Sequence, residues 1–351
     1  MGARILIMAG GTGGHVFPAL AVANYLVEQG WQMSWLGTKN GLESRVVPAH
    51  KIDIDWLSVA GVRGKGLFSK IRALLLLIKA CGQAWWILRR RKPDVVLGMG
   101  GFVAGPGGLM AKLMGIPLVI HEQNRVPGTT NRLLARWANR VLEAFPGSFD
   151  KKINALWSGN PLRKELIGIP EKKARQPGEA LRLLVIGGSQ GAQVLNQVVP
   201  DAVAAVSGLN VRHQTGEIMR TQVEQRYQEL GVDAEVSAFI EDMAEAYRWA
   251  DIAVCRAGAM TISELAAAGI PAVLIPLPHA IDDHQNANAR YLADVGAAMI
   301  LPQIDLSPET LAERIKDVIE RLAEMSKKTR ACAKLDATAA VALCCQAESG
   351  R

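Results

Sequence analysis

Two stretches of the chain, "ILIMAGGTGG" from Ile5 and "LLVIGGSQGA" from Leu183, follow one pattern. Each passes from an apolar run through Gly-Gly-Thr/Ser-x-Gly into a helical pattern, with Gly10 and Gly187 in equivalent places. A second pair, "VVLGMGGFVAGPGG" (95–108) and "IAVCRAGAMTISE" (252–264), repeats the arrangement. Strand-like runs recur at 4–8, 33–37, 94–99, 117–121 and 140–145, then at 182–187, 210–215, 235–239, 251–255, 271–276 and 297–302. Helical patterns of about 10–15 residues separate most of them, which calls for parallel strands joined by helical crossovers. The spacing of the echo is far beyond a solenoid period. The expected fold class is therefore α/β, with two Rossmann-like domains of parallel sheet separated by a deep cleft. A chain of 351 residues is long enough for both. The Pro- and charge-rich stretch 166–180 reads as their linker.

Glycine loops between strand and helix bring backbone N–H groups and a helix N-terminus close to an anion. The simpler alternative is that the glycines only permit a tight turn. The first loop fits neither common nucleotide motif. A P-loop needs a Lys that is absent here, and the dinucleotide fingerprint needs a glycine where Val16 stands and an acid near Gly30. Six glycines within 94–108 exceed what a turn needs, so that loop is read as a second wall of the first anion site. In "RAGAMTISE" a helix is expected to begin near Ala259, leaving Glu264 in its first turns. Glu264 either complements the helix dipole or binds two ribose hydroxyls.

Charge is uneven along the chain. Residues 1–165 hold 22 Lys+Arg against 9 Asp+Glu, and the remainder 18 against 24. Seven of the eight tryptophans lie in that basic part, all but Trp249, so an anionic partner is expected there. Nucleic acid and an anionic membrane both qualify on charge alone. The five cysteines lack metal-type spacing and point to a reducing compartment without disulfides. Met1 leads directly into a strand-like run, so no signal peptide is expected. No apolar stretch approaches the roughly 20 residues of a membrane span.

The segment "KGLFSKIRALLLLIKACGQAWWILRRRK" (65–92) carries eight basic residues and no acidic one. As a helix it would bury Leu67, Ile71, Leu74, Ile78, Cys81, Trp85 and Leu88 as a core stripe. A second face then mixes Phe68, Leu75 and Trp86 with Arg72, Lys79 and Arg90, the composition of an interfacial membrane helix. The alternative is extra burial against a neighbour with solvated charges, and Gly82 is a candidate break in the helix in either case. "IDIDW" (52–56) contains an Asp-x-Asp, a pair of carboxylates of the kind that can hold a metal. Its alternation with isoleucine is better explained as a half-exposed strand. No metal site is expected there or in "DDHQNAN" (282–288).

"GGTGGHVFPALAVA", "GMGGFVAGPGG", "HEQN", "GNPLR", "GGSQGA" and "CRAGAMTISELAAAGIPAVLIP", in this order over about residues 4–335, resemble the bacterial peptidoglycan glycosyltransferases of the GT-B superfamily. The resemblance implies transfer of N-acetylglucosamine from UDP-GlcNAc to the MurNAc of undecaprenyl-diphosphoryl-MurNAc-pentapeptide, with inversion and without a metal or other cofactor. It implies an acceptor and membrane-associating domain over 1–163 and a UDP-GlcNAc domain over 164–335. A helix or tail over 336–351 would return toward the first domain. Donor contacts fall by resemblance on Thr12, Gly13, Gly14, Asn124, Arg163, Ser189, Ile240, Ala259, Met260, Thr261, Ile262, Ser263, Glu264, Gln285 and Asn288. The acceptor diphosphate would meet Gly13, Gly14, His15, Gly100 and Gly101. The implied location is peripheral, on the cytoplasmic face of the inner membrane, with other cell-wall synthesis proteins as further partners and no nucleic acid.

Such a displacement needs a base at the acceptor hydroxyl and positive potential at the leaving diphosphate. His15, at a helix start, and Glu122, at a strand end, are the two candidate bases. His15 has a second reading, as a cap or a hydrogen-bond partner of the acceptor diphosphate. Two rival functions remain at this stage. A UDP-GlcNAc 2-epimerase would share the architecture without needing the basic Trp-rich helix. A non-enzymatic membrane- or nucleic-acid-binding protein would leave the donor-like motifs unexplained.

Overall fold

A computed structural model describes residues 2–59, 67–172, 178–187, 192–278 and 283–350, the side chains of 67–73 excepted. Ser189 and the side chains of Phe68 and Arg72, named above, thus lie outside the described residues. The chain divides into two compact units, Met1–Arg163 with Leu335–Arg351, and Lys164–Lys334.

The first unit runs β1 (Arg4–Ala9), α1 (Gly13–Glu28), β2 (Gln32–Gly37), α2 (Glu43–Ala49), β3 (Asp53–Trp56) and α3 (Leu67–Arg91). It continues through β4 (Val95–Gly100), α4 (Ala104–Leu113), β5 (Leu118–Glu122), α5 (Thr129–Leu134), β6 (Arg140–Glu143) and β7 (Leu156–Trp157). The second unit opens with α6 (Lys164–Ile167), β8 (Leu181–Ile186), α7 (Gln193–Ala204), β9 (Leu209–Gln214), α8 (Arg220–Glu229), β10 (Ala234–Ser237) and α9 (Met243–Trp249). It ends with β11 (Ile252–Cys255), α10 (Ala259–Ala268), β12 (Ala272–Leu274), α11 (His284–Ala293), β13 (Ala298–Ile300), α12 (Pro308–Glu320) and α13 (Leu322–Ala331). The last helix, α14 (Ala337–Glu348), belongs to the first unit.

Both sheets are parallel, in the orders β3-β2-β1-β4-β5-β6-β7 and β10-β9-β8-β11-β12-β13. Their central strands, β1, β4 and β5 in one sheet and β8, β11 and β12 in the other, are largely buried on both faces, as helical crossovers require. In each sheet the chain leaves the two central strands in opposite directions, β1 from β4 and β8 from β11. Loops diverge at such switch points and leave a crevice at the strands' carboxyl ends. The two pairs of repeated motifs occupy these two positions.

The C-terminal residues, which match no motif, are core. Val341, Ala342 and Cys345 of α14 pack with Val16, Leu26, Ile7 and Trp35 on one face of the first sheet. Thr338 donates to the Leu162 carbonyl (3.0 Å), and Glu348 pairs with Arg140 (2.9 Å). The start of the expected linker is also structured. Leu166 and Ile169 are buried in the second unit, where Arg330 Nη2 donates to Ile169 O (3.0 Å).

Of the stripe expected to face the core on α3, the side chains of Leu67 and Ile71 lie outside the described residues, Leu88 is buried and Cys81 half-buried, but Leu74, Ile78 and Trp85 are exposed, and Ala80, Ala84 and Ile87 are buried instead. Two contacts fix this rotation. Small Ala80 and Ala84 let the helix lie close on α4. The buried Asp55 carboxylate binds Arg90 and Arg91, the latter at 2.7 Å, and Arg91 also reaches Asp53 at 2.8 Å. Asp55 is therefore not a solvent-facing strand residue. Both carboxylates of the Asp-x-Asp serve as anchors for guanidinium groups.

The glycines of "GMGGFVAGPGG" divide into two tasks. A Cβ on Gly107 would strike Met8 and Leu36, and one on Gly108 would strike Leu134, so these two let α4 pack closely. Gly100 and Gly101 have positive φ (102° and 80°) and belong to the site at the sheet's edge.

Candidate active site

In the first unit the loops after β1, β4 and β5 meet around the first turn of α1. Thr12 is the extended N-cap residue, and Gly13, Gly14 and His15 form the helix start, where His15 N already donates to Thr12 O (3.1 Å) and the glycine amides open the first turn. Glu43, fully buried, holds the loop in shape. Its oxygens accept Gly11 N (3.0 Å), Thr38 N (2.8 Å) and Thr38 Oγ1 (2.7 Å). The imidazole of His15 lies against Gly100, where an added Cβ would sit 2.9 Å from its Cε1. A Cβ on Gly101 would collide with the Gly10 backbone. Arg163 stacks over Phe17 of α1, its guanidinium carbon 5.5 Å from the ring centre, bringing positive charge to the same helix.

His15 Nδ1 stands 2.7 Å from Gln123 Oε1, and Gln123 Nε2 lies 3.0 Å from His121 Nδ1 and 3.1 Å from His121 O. His121 Nε2 meets Gly159 O at 2.9 Å. His121 is fully buried, and loss of hydration pushes its pKa down to about 4. Sequence reasoning selected Glu122 and Asn124 from "HEQN" and passed over His121 and Gln123. The alternation of β5 was the available signal, since residues two apart share a face.

Glu122, the second candidate base, is occupied. Its Oε1 accepts Asn124 N (2.9 Å) and Asn124 Nδ2 (3.2 Å), and its Oε2 accepts Gly128 N (3.1 Å) and Asn131 Nδ2 (2.9 Å). With the side chain buried, these donors fill both oxygens. Through these contacts Glu122 shapes the 124–131 loop.

In the second unit, α10 begins at Ala259 with Gly258 as its extended N-cap residue. Met260 and Thr261 follow, half-buried, in the first turn. Ser263 Oγ donates back to Ala259 O (3.1 Å), and Glu264 Oε2 accepts the Tyr247 hydroxyl (2.9 Å). Ile240 is half-buried in the loop after β10, and Gln285 Oε1 accepts Leu277 N (2.9 Å). Ile262 is a core side chain with no exposed surface, and Asn288, equally buried, donates to Ala257 O (3.2 Å) and braces the loop before α10. Arg256 was passed over by sequence reasoning. It donates to Ile275 O (3.1 Å), Pro276 O (3.3 Å) and Gln303 Oε1 (2.7 Å), all neutral oxygens, so its charge persists near the start of α10.

Residues 5–143 match the glycosyltransferase family 28 N-terminal domain, and residues 182–342 match the family 28 C-terminal domain. The chain belongs to glycosyltransferase family 28. A protein of Methylococcus capsulatus is 57% identical over the full length of both chains. It is named UDP-N-acetylglucosamine--N-acetylmuramyl-(pentapeptide) pyrophosphoryl-undecaprenol N-acetylglucosamine transferase. A crystal structure of MurG from Acinetobacter baumannii is 40% identical, covers 98% of this chain and 99% of its own, and superimposes with a TM-score of 0.84. A calicheamicin glycosyltransferase, CalG4, shares the fold at 18% identity, with a TM-score of 0.68 over 100% of this chain and 99% of its own. The paired parallel sheets are thus the GT-B architecture of the family 28 enzymes.

The family 28 chain also presents an apolar surface on α3. Leu74, Leu75, Leu77, Ile78, Trp85 and Trp86 are all exposed. Arg89 stacks on Trp85 (5.3 Å) and Arg90 on Trp86 (4.6 Å). Arg90 is thereby shared between Trp86 and Asp55 and is not a free cation, as the sequence had implied. Exposed Leu113 at the end of the adjoining α4 is a further apolar residue outside the expected set. Among the described residues, no helix is long and apolar enough to cross a membrane, and no group of three or more His, Cys, Asp or Glu is arranged to hold a metal ion.

Proposed function

We infer that this chain transfers N-acetylglucosamine from UDP-GlcNAc to the MurNAc of undecaprenyl-diphosphoryl-MurNAc-pentapeptide, the step from lipid I to lipid II in peptidoglycan synthesis. The observation that carries this reading is 57% identity, over the full length of both chains, to a curated transferase of that name. Incubation with radiolabelled UDP-GlcNAc is expected to label the lipid fraction only when the polyprenyl acceptor is present. Conversion of UDP-GlcNAc without any acceptor would indicate an epimerase instead and overturn it.

In the mechanism we propose, the acceptor hydroxyl oxygen attacks the anomeric carbon as the bond to the UDP oxygen breaks. UDP leaves with the bonding electron pair, the configuration inverts, and the hydroxyl proton passes to His15 Nε2. The second unit binds the donor. The α10 N-terminus and Arg256 stabilise the departing diphosphate, Glu264 binds the ribose, and the Ile240 main chain reads the base. The first unit binds the acceptor, with the Gly13–Gly14 and Gly100–Gly101 backbone facing its diphosphate. No metal is needed in this scheme, because helix dipole and arginine supply the positive potential. Turnover is therefore expected to persist in excess EDTA, and abolition by EDTA would remove this part of the scheme. The exposed apolar and basic face of α3 fits a peripheral position on an anionic membrane, where the acceptor's lipid tail resides.

A further inference from the structure

We propose that Gln123, oriented by His121, is a positioning residue that fixes His15 as the Nδ1–H tautomer and keeps its Nε2 unprotonated to receive the acceptor proton. The proposal rests on the reading of His15 as the base.

The proton assignment follows from one backbone carbonyl. Gly159 O can only accept, so the His121 nitrogen facing it at 2.9 Å, Nε2, carries the hydrogen. Burial keeps His121 neutral, so its Nδ1 is a bare lone pair. That lone pair and the His121 carbonyl both face one end of the Gln123 amide, at 3.0 and 3.1 Å. Two acceptors demand a donor, which must be the NH₂ group. The reverse orientation would bury an oxygen against two lone-pair acceptors, with His121 and Gln123 both essentially inaccessible to water. The amide oxygen therefore faces His15, and His15 Nδ1, 2.7 Å away, must be the donor.

Two contacts make the arrangement rigid. Asn160 Nδ2 donates to the Gln123 carbonyl at 3.1 Å, holding the backbone that carries the amide. Gly100 admits the imidazole where any Cβ would displace it. The device performs the orienting task of a triad carboxylate with a neutral group. A carboxylate would stabilise the imidazolium strongly, whereas an amide orients the ring without raising its basicity to the same extent. His15 can then take the proton and release it again after UDP has left.

The test is imidazole ¹⁵N spectroscopy of the full chain, labelled at histidine, together with kinetics. In its neutral form wild-type His15 is expected to show protonated Nδ1 and bare Nε2, and an Nε2–H spectrum overturns the proposal without any variant being needed. Gln123→Met should give a mixed tautomer and a kcat lower by about 10- to 100-fold, with KM for UDP-GlcNAc little changed. Retention of both the wild-type tautomer and kcat also overturns it. His15→Ala separates the two layers. Near-normal turnover in that variant, beside an Nδ1–H wild-type spectrum, rejects the base and leaves the tautomer lock intact.

Discussion

A buried carboxylate that accepts four N–H donors acts as a brace, because losing an acceptor there would leave at least one donor unpaired. Glu122 is in this position, whereas His15 has one ring nitrogen bound to Gln123 and the other outside that relay. The two side chains should therefore fail differently. Glu122→Gln places an NH₂ group among donors and is expected to destabilise the first unit by about 1–3 kcal/mol, read from its urea midpoint. His15→Ala should leave that midpoint nearly unchanged and reduce kcat by about 10²–10⁴. If Glu122→Gln instead lost kcat at unchanged stability, the assignments would have to be exchanged. Glu43 belongs with Glu122, since a fully buried carboxylate there fixes the glycine loop through Gly11 and Thr38. No sequence signal marked Glu43, whose role depends on contacts between separate loops.

Among the elements, strands and glycine turns were legible because their signals are local. An apolar run followed by Gly-Gly forces a strand end, and α10 begins at Ala259 as its composition implied. The buried face of α3 was not legible, because periodicity assigns large apolar residues to the core by default. Here the core stripe is Ala80, Ala84, Ile87 and Leu88, and Leu74, Leu75, Ile78, Trp85 and Trp86 are exposed. A helix that buries its alanines and exposes leucine and tryptophan among arginines presents a surface for an interface. Leu75→Ser with Trp86→Ser is expected to lower binding to vesicles rich in anionic lipid at least tenfold. This follows from roughly 1.5–3 kcal/mol per large apolar side chain buried. Flotation of the double variant with those vesicles measures it, and unchanged binding would show that this face does not touch lipid. The enclosure of the Asn288 and Ile262 side chains was likewise not legible, because only packing reveals it.

Each unit of the whole molecule has its own core, and the first depends on residues from both ends of the chain. Truncation after Leu335 removes α14 and uncovers the Val16–Leu26–Trp35 face. It should cost the first unit about 3 kcal/mol or more, with the transition of the second unit little changed. Among the described residues, each unit also encloses one fully buried histidine. Burial lowers His121 to about 4, and His213 to about 3, the latter between the Tyr227 hydroxyl (3.0 Å) and Asn196 Oδ1 (3.2 Å). Unfolding exposes both rings and returns them to a pKa near 6.5. The unfolded chain then binds more protons below pH 6.5, so this stabilisation is complete above 6.5 and falls as pH drops through the window. The decline ends near pH 4 for His121 and near pH 3 for His213. Each ring contributes a slope of up to about 1.4 kcal/mol per pH unit. Between pH 6.5 and 5, exposed carboxylates remain ionised and the histidines dominate the slope. Urea unfolding at several pH values should therefore show both transitions weakening together over that interval. In His213→Gln, whose amide can donate to Asn196 and accept from Tyr227, the second-unit transition should flatten while the first keeps its slope. A slope surviving in both transitions would mean that groups other than these two histidines set the acid sensitivity.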